Sequence, residues 1–305
     1  MKNTAVGANA PTLGVVGAGR AGTALSLAAA RADYRVVAVS SRDPADAAGL
    51  AALFGADVAR GALAVVRAAE LTLLTVPDSA VVGLAAAIAA SGVALRGHAV
   101  VHCSASFGPD SLAALRQAGA DVGVLHPLQA LAGPGSAALL RGSYFRIEAA
   151  GGLESDLLDL VAALGGHRIV VPEAGRALYH AAAVLTASGP LALLDRAAAL
   201  FEEAGVDRHT AKAALAALLH GAATNAMENG AASALTGPVA RGDSRTIAVH
   251  LRALAHDPDV RELYLMLALE TARLAGRDPN ELGLAPQPQE RLDLAQDAPP
   301  MPRVA

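Results

Sequence analysis

The sequence predicts an α/β fold in two parts: a Rossmann sheet, doubly wound and mostly parallel, followed by an all-α helical domain. Three observations carry the prediction. From residue 13 to about 172, short β-branched runs alternate with Ala/Leu-rich helical segments, the pattern of a parallel sheet covered by helices. Beyond Pro172 only helical patterns follow. Finally, Gly17-Ala18-Gly19-Arg20-Ala21-Gly22 stands directly between the first strand and the first helix. At 305 residues the chain exceeds what one hydrophobic core usually organises. It is therefore expected to form a sheet domain over 1–172, a helical domain over 173–280 and a mobile tail over 281–305.

Taken in order, strands are expected at 13–16, 35–39, 71–76, 99–102, 122–125, 144–148 and 168–171, each beginning or ending near a turn signal. The apolar start superficially resembles a signal peptide, but it passes straight into the glycine turn and reads as a strand. Helices are expected at 173–204, 209–229, 244–255 and 258–275. Gly205 and Gly230 stand where helices should stop, and Pro258 suits a helix start. Residues 235–243 form the only long irregular stretch, and Pro, Gln and Asp crowd the chain from Pro279 onward. With 53% hydrophobic but only 3% aromatic residues, the core must be built mainly from Ala, Leu and Val.

Composition narrows the function. The net charge is −4 and no Lys/Arg block appears, which argues against a nucleic-acid partner. Lys2 and Lys212 are the only lysines, so positive charge rests on arginine, which can fork onto carboxylate or phosphate. A single cysteine, Cys103, excludes an intrachain disulfide and fits a reducing, cytoplasmic setting. The longest apolar stretches, 81–95 and 181–194, are shorter than a membrane span, and the second contains Ser188-Gly189-Pro190; no membrane helix and no metal site are expected.

The glycine triplet points to a dinucleotide. Gly17 permits the tight turn, Gly19 lets the backbone approach a pyrophosphate, and Gly22 allows the helix to press on the sheet. The phosphates would lie on the helix N-terminus beside Ala18, Arg20 and Ala21. Where NAD enzymes place a carboxylate for the ribose 2′-hydroxyl, this chain reads Ser40-Ser41-Arg42, two hydroxyls and a guanidinium suited to a 2′-phosphate. NADP(H) is the expected cofactor, unless Arg42 is a solvated loop residue and Asp43 reaches the ribose instead. Val76, Pro77 and Ser104 stand at ends of further strands, on the edge where ligands of open α/β sheets collect, and are assigned to the same site. Asp78 is expected to cap the next helix.

Candidate catalytic residues come from both parts. His126 stands at a strand end before Pro127, and His180 lies on the first long helix on a stripe with Val184 and Ala187. Either could instead be a packing histidine. The segment Thr236 to Asp243 combines Gly, Pro and Arg241, a fork for a substrate carboxylate, with Asn225 on the preceding helix; the alternative is that Arg241 simply pairs with Asp243. The Ala/Leu-rich bundle has apolar faces beyond those needed to cover the sheet domain, which predicts a homodimer.

These motifs, with Val76-Pro77-Asp78, His126-Pro127-Leu128-Gln129, Tyr179-His180-Ala181-Ala182 and Ala234 through Asp243, resemble a bacterial family that joins a Rossmann-like domain to a helical domain of unknown function, number 2520. One departure is Gly189, where the family usually carries Asn. The layout is also similar to the 6-phosphogluconate dehydrogenase-like superfamily. The resemblance implies an NADP-dependent oxidoreductase reducing a small 2-oxo acid, with 2-dehydropantoate (ketopantoate) to pantoate first. Related carbonyl reductases use a lysine on the first helix after the sheet domain; here His180 occupies about that position. Pyrroline-5-carboxylate reductase resembles this chain at Ser188-Gly189-Pro190, which implies imine reduction as the alternative. An NADP(H)-sensing scaffold without catalysis is a third.

Overall fold

The computed structural model describes residues 10–284. Contacts divide the chain into two compact units between Gly189 and Pro190.

In the first unit, eight strands form one sheet: β1 Leu13–Val16, β2 Val36–Ser40, β3 Asp57–Val58, β4 Leu71–Leu74, β5 Ala99–His102, β6 Asp121–Leu128, β7 Tyr144–Glu148 and β8 His167–Ile169. Their order is β3-β2-β1-β4-β5-β6-β7-β8, parallel except for β6 against β7. The chain order reverses between β1 and β4, and open sheets of this kind bind ligands outside the strand ends at that point. The helices of this unit are α1 Arg20–Arg31, α2 Pro44–Ala52, α3 Ala62–Ala68, α4 Asp78–Ala89, α5 Ala113–Gln117, α6 Gly151–Ala163 and the first part of α7 Arg176–Glu203. Every residue of β1 and β4 is buried, as expected of strands covered on both faces. Alternation then sorts their side chains: Leu13, Val15, Leu71 and Leu73 join one core cluster with α1 and α6, while Val16 and Leu74 join another with α3 and α4.

The sheet follows the sequence pattern closely, with two informative differences. β6 runs to Leu128, so His126 and Pro127 lie within a strand and not after one. The extension exists because β7 returns antiparallel and pairs with it, setting His126 opposite Arg146. The short β3 has no apolar run to announce it; both its residues are exposed.

The long helix α7 begins after the last strand, close to the expected boundary at 172, but the units part further on because its first turns pack on the sheet unit. Pro190 sits inside it without ending it. The expectation that no segment has the length of a membrane span is therefore corrected: Glu173–Glu203 is long and apolar enough, with its most apolar window unburied among the described residues.

The second unit contains the rest of α7, then α8 Arg208–Asn229, α9 Ala231–Ala234, α10 Gly237–Arg241, α11 Ser244–Ala253 and α12 Pro258–Leu274. The stretch expected to be irregular, 235–243, is mostly α10, which starts at Gly237-Pro238 and ends on Gly242 in the left-handed region. Asp207, Asp243 and Asp257 cap α8, α11 and α12 by accepting backbone N–H bonds. The start of the expected tail is also corrected. Leu282 and Leu284 are buried against Val239, Ile247, Ala268 and Ala272, because two leucines two residues apart give this turn an apolar side. Residues 285–305 of that tail lie outside the described residues.

Candidate active site

The dinucleotide turn is built by backbone geometry. Gly17 adopts φ +106°, and a Cβ there would lie 2.6 Å from the Thr75 carbonyl oxygen. A Cβ on Gly22 would collide with the Gly17 carbonyl and lie 2.5 Å from Thr75 Oγ1, so only glycine lets α1 close onto the turn. Gly17 N–H donates to the Ser40 carbonyl, and Thr75 Oγ1 donates to the Gly17 carbonyl at 2.6 Å. Gly19 differs: a Cβ would meet nothing within 4 Å, and it precedes α1 without any side-chain cap. The first backbone bond at that end runs from Thr23 to Gly19, so the amides of Arg20 and Ala21 keep their donors for a ligand. This cradle fits a pyrophosphate. At the end of β2, Ser40 is buried while Arg42 is exposed. Asp43 is the cap of α2, its Oδ1 accepting from Ala45 N–H at 2.8 Å.

Two expectations at neighbouring strand ends are modified. Asp78 is the first residue of α4 and caps nothing; its carboxylate accepts a bond from Ser104 Oγ at 2.8 Å. Ser104 Oγ also accepts from the amides of Ser106 and Phe107, so this hydroxyl organises its own loop. His102 is buried, and its Nδ1 accepts from Ser104 N–H while Nε2–H donates to the Gly108 carbonyl at 3.1 Å. It is a structural histidine, and burial holds it below the usual imidazole range.

The expected histidines do face a cavity, of about 570 Å³, whose lining includes His126, Gln129, Tyr179, His180, Thr186 and Ser188. Small residues of α7, among them Ala182, Ala183 and Ala187, leave the room. His126 Nδ1 and the Tyr179 hydroxyl are 2.8 Å apart, with the rings edge to face at 80°. Burial first, then the charge of Arg146 and the neighbouring His180 and His102, pull His126 down to about 4, so its imidazole is neutral near pH 7. Burial raises the Tyr179 phenol, and the Arg146 charge opposes that rise. His180 Nδ1 lies 2.9 Å from Ser106 Oγ.

Behind the cavity is a charged cluster that sequence reasoning missed. Arg146, fully buried in the middle of β7, donates to the carbonyls of Ser104 and Phe107 at 2.8 Å each and pairs with Glu148. Glu148 accepts two further bonds from Arg176, at 3.1 and 2.5 Å. The signal was present in the sequence: an arginine between Phe145 and Ile147, in a run otherwise reading as buried strand, needs a partner.

Arg241 and Asn225 belong to the second unit. Arg241 is exposed at the end of α10, and among the described residues no ion pair joins it to Asp243, whose carboxylate instead binds Thr246 N at 3.0 Å and Thr246 Oγ1 at 2.6 Å. Asn225 is exposed on α8, and its carbonyl accepts from Asn229 Nδ2 at 3.2 Å.

Comparison with known proteins matches a Rossmann-like domain over residues 2–127 and the domain of unknown function DUF2520 over 143–271. A provisionally named NADP oxidoreductase from Bacteroides fragilis is 26% identical, with a TM-score of 0.69 over 86% of this chain and 98% of that one. A reductive aminase from Aspergillus terreus, solved with NADPH and ethyl-5-oxohexanoate, is 20% identical, with a TM-score of 0.54 over 90% of each chain. A pyrroline-5-carboxylate reductase from Coxiella burnetii is 14% identical, with a TM-score of 0.59 over 92% of this chain and 100% of that one. With the last two the likeness is one of fold. No functionally curated protein matches. With one model over β1 to β6 and the other from β7 into the helices, the chain joins a Rossmann-like domain to the domain of unknown function 2520.

Proposed function

We propose that the protein is an NADPH-dependent oxidoreductase that reduces a small substrate at a polarised C=O or C=N bond. The observation that carries this reading is that one unit holds both an open, pyrophosphate-sized turn at the head of α1 and a cavity with a coupled imidazole and phenol beyond β5 and β6. NADPH, when bound, supplies the hydride. Gly17, Gly19, Gly22 and the first amides of α1 would hold its pyrophosphate, and Ser40, Ser41 and Arg42 its 2′-phosphate.

The first substrate reading is a 2-oxo acid, 2-dehydropantoate foremost. A specific observation favours the second reading, an imine: no Lys, Arg, Asp or Glu lines the cavity that His126 and Tyr179 face. Incubating the protein with NADPH and a panel of 2-oxo acids and cyclic imines, while following absorbance at 340 nm, tests both. Tight NADPH binding with no turnover of any member would replace the enzyme by a cofactor-sensing scaffold.

The apolar faces of α7 and α8 support a homodimer, and the cytoplasmic setting rests on the single cysteine alone. Leu178, Leu185, Leu218 and Met227 are 77%, 75%, 68% and 87% exposed, which is more apolar surface than a stable monomer usually leaves to water. A second copy of the chain is the occupant proposed, and light scattering that reports a monomer at micromolar concentration, or recovery only with membranes, would reject it.

A further inference from the structure

The cavity that His126 and Tyr179 face offers few groups that can give up a proton. His126 is the best-placed imidazole, yet it is neutral near pH 7 and holds a single N–H. The Nδ1 of His180 is within hydrogen-bond distance of Ser106 on the loop at the end of β5. Tyr179 carries the remaining acidic proton, with its hydroxyl 2.8 Å from His126 Nδ1 and its side chain in the cavity wall. Behind the pair stands Arg146, in register with His126 across β6 and β7, wholly buried, and with its Nε lacking any hydrogen-bond partner. A fixed cation in a site of low polarity stabilises negative charge far more than the same cation in water.

Resting on the reductase reading above, we propose that Tyr179 is the proton donor of the reduction, with His126 orienting its hydroxyl and Arg146 holding positive charge behind it. As a hydride from the nicotinamide adds to the substrate carbonyl carbon, the C=O π pair moves to oxygen, and the reductant is oxidised to NADP⁺. The Tyr179 O–H bond breaks and its proton passes to that oxygen, giving the alcohol. The phenolate left behind accepts a bond from His126 Nδ1–H and is reprotonated from solvent through the open cavity. The phenol is hydrogen-bonded to His126 on β6 and lies in the field of Arg146 on β7, which pairs with Glu148, itself bound by Arg176 on α7; His180 and His102 act on His126. His126 and Arg146 are positioning residues in this scheme, and His180 holds the Ser106 loop instead of giving the proton.

The test compares a neutral carbonyl with a substrate whose nitrogen needs no proton. Wild-type protein and Tyr179→Phe are assayed with NADPH on 3-methyl-2-oxobutanoate and on N-methyl-1-pyrrolinium, alongside NADPH affinity and thermal midpoint. Tyr179→Phe should lower kcat on the 2-oxo acid by about 10²–10⁴-fold, lose much less on the iminium, and keep NADPH affinity and fold. It should also abolish the alkaline limb of the carbonyl pH profile. Equal losses on both substrates, or a wild-type rate on the 2-oxo acid, overturn the donor assignment. Wild-type turnover of the iminium alone overturns the donor and leaves the reductase standing. NADPH binding without turnover of either probe overturns the reductase reading, and the donor with it.

Discussion

The two units bury their apolar surface in opposite ways. In the first, strands such as β1 and β4 are covered on both faces, and even a charged side chain, Arg146, is enclosed and held. In the second, the long helix α8 contributes only Ala211 and Leu215 to the interior, while Leu218 and Met227 point to solvent. A sheet unit closes on itself because crossover helices supply a partner for each face within the same chain. Long Ala/Leu helices do not, so their remaining stripes await a partner from outside the unit. The contrast teaches that apolar residues mean self-sufficiency in the strands of one half and, on the homodimer proposed above, association along the long helices, including the first turns of α7 with Leu178 and Leu185.

Substitutions should therefore separate the halves sharply. Arg146→Leu removes one member of a buried ion pair, strands the Ser104 and Phe107 carbonyls and should cost about 3–5 kcal/mol. Leu125→Ala, at a fully buried position of β6, should cost about 2–5 kcal/mol. Leu218→Ala, at a residue 68% exposed, should change the stability of a monomeric unit by no more than about 0.5 kcal/mol while weakening self-association. Denaturant melts and sedimentation at several concentrations would check all three. A Leu218 effect as large as that of Leu125, at a concentration where the protein is monomeric, would break the comparison.

Legibility follows the same divide. The sheet unit was readable because short β-branched runs between helical segments and the glycine triplet report on local geometry that the chain itself completes, and β1, β5 and β7 fall at the expected residues. The helices of the second unit were equally readable as helices. What escaped was whatever depends on contacts between distant segments. The Tyr179 and His126 pair joins residues 53 apart, and the Arg146 bond to Ser104 joins residues 42 apart, so no spacing rule could find them. Asp78 shows the converse error: its place before a helix predicted a cap, but a hydroxyl from the next strand end claimed the carboxylate. Leu282 and Leu284 escaped because a Pro- and Asp-rich neighbourhood masked two well-placed leucines.

Acid should also separate the halves. His126 ionises at about 4 in the folded protein against an ordinary 6.5, so the unfolded chain binds the extra proton first. Stability therefore rises with pH between about 4 and 6.5, and is lost as pH falls through that window. The full effect is at most about 3.5 kcal/mol, since one pKa unit corresponds to about 1.4 kcal/mol. His256 of the second unit has the opposite shift, raised by its exposed contact with Glu203, and should gain slightly on protonation. Melting midpoints from pH 4 to 8 should fall towards acid in wild-type protein and flatten in His126→Asn. An unchanged slope in that variant would place the acid sensitivity elsewhere.

The most selective effect expected concerns the rim of the first unit instead of its interior. Ser40 is buried, but Arg42, two residues on, is exposed and has no ion pair among the described residues, so its removal should leave the fold intact. A charge-assisted contact to a 2′-phosphate is worth about 1.5–3 kcal/mol, which is roughly ten- to hundredfold in affinity. Arg42→Ala should weaken NADPH binding by about that factor and leave NADH binding nearly unchanged. Titration of both cofactors by fluorescence, with the melting midpoint recorded alongside, would read the difference. Equal losses for both cofactors would mean that Arg42 shapes the loop and that the 2′-phosphate is held by other groups. A loss confined to NADPH would show that the exposed rim of the sheet unit is kept open for a group the chain does not itself contain.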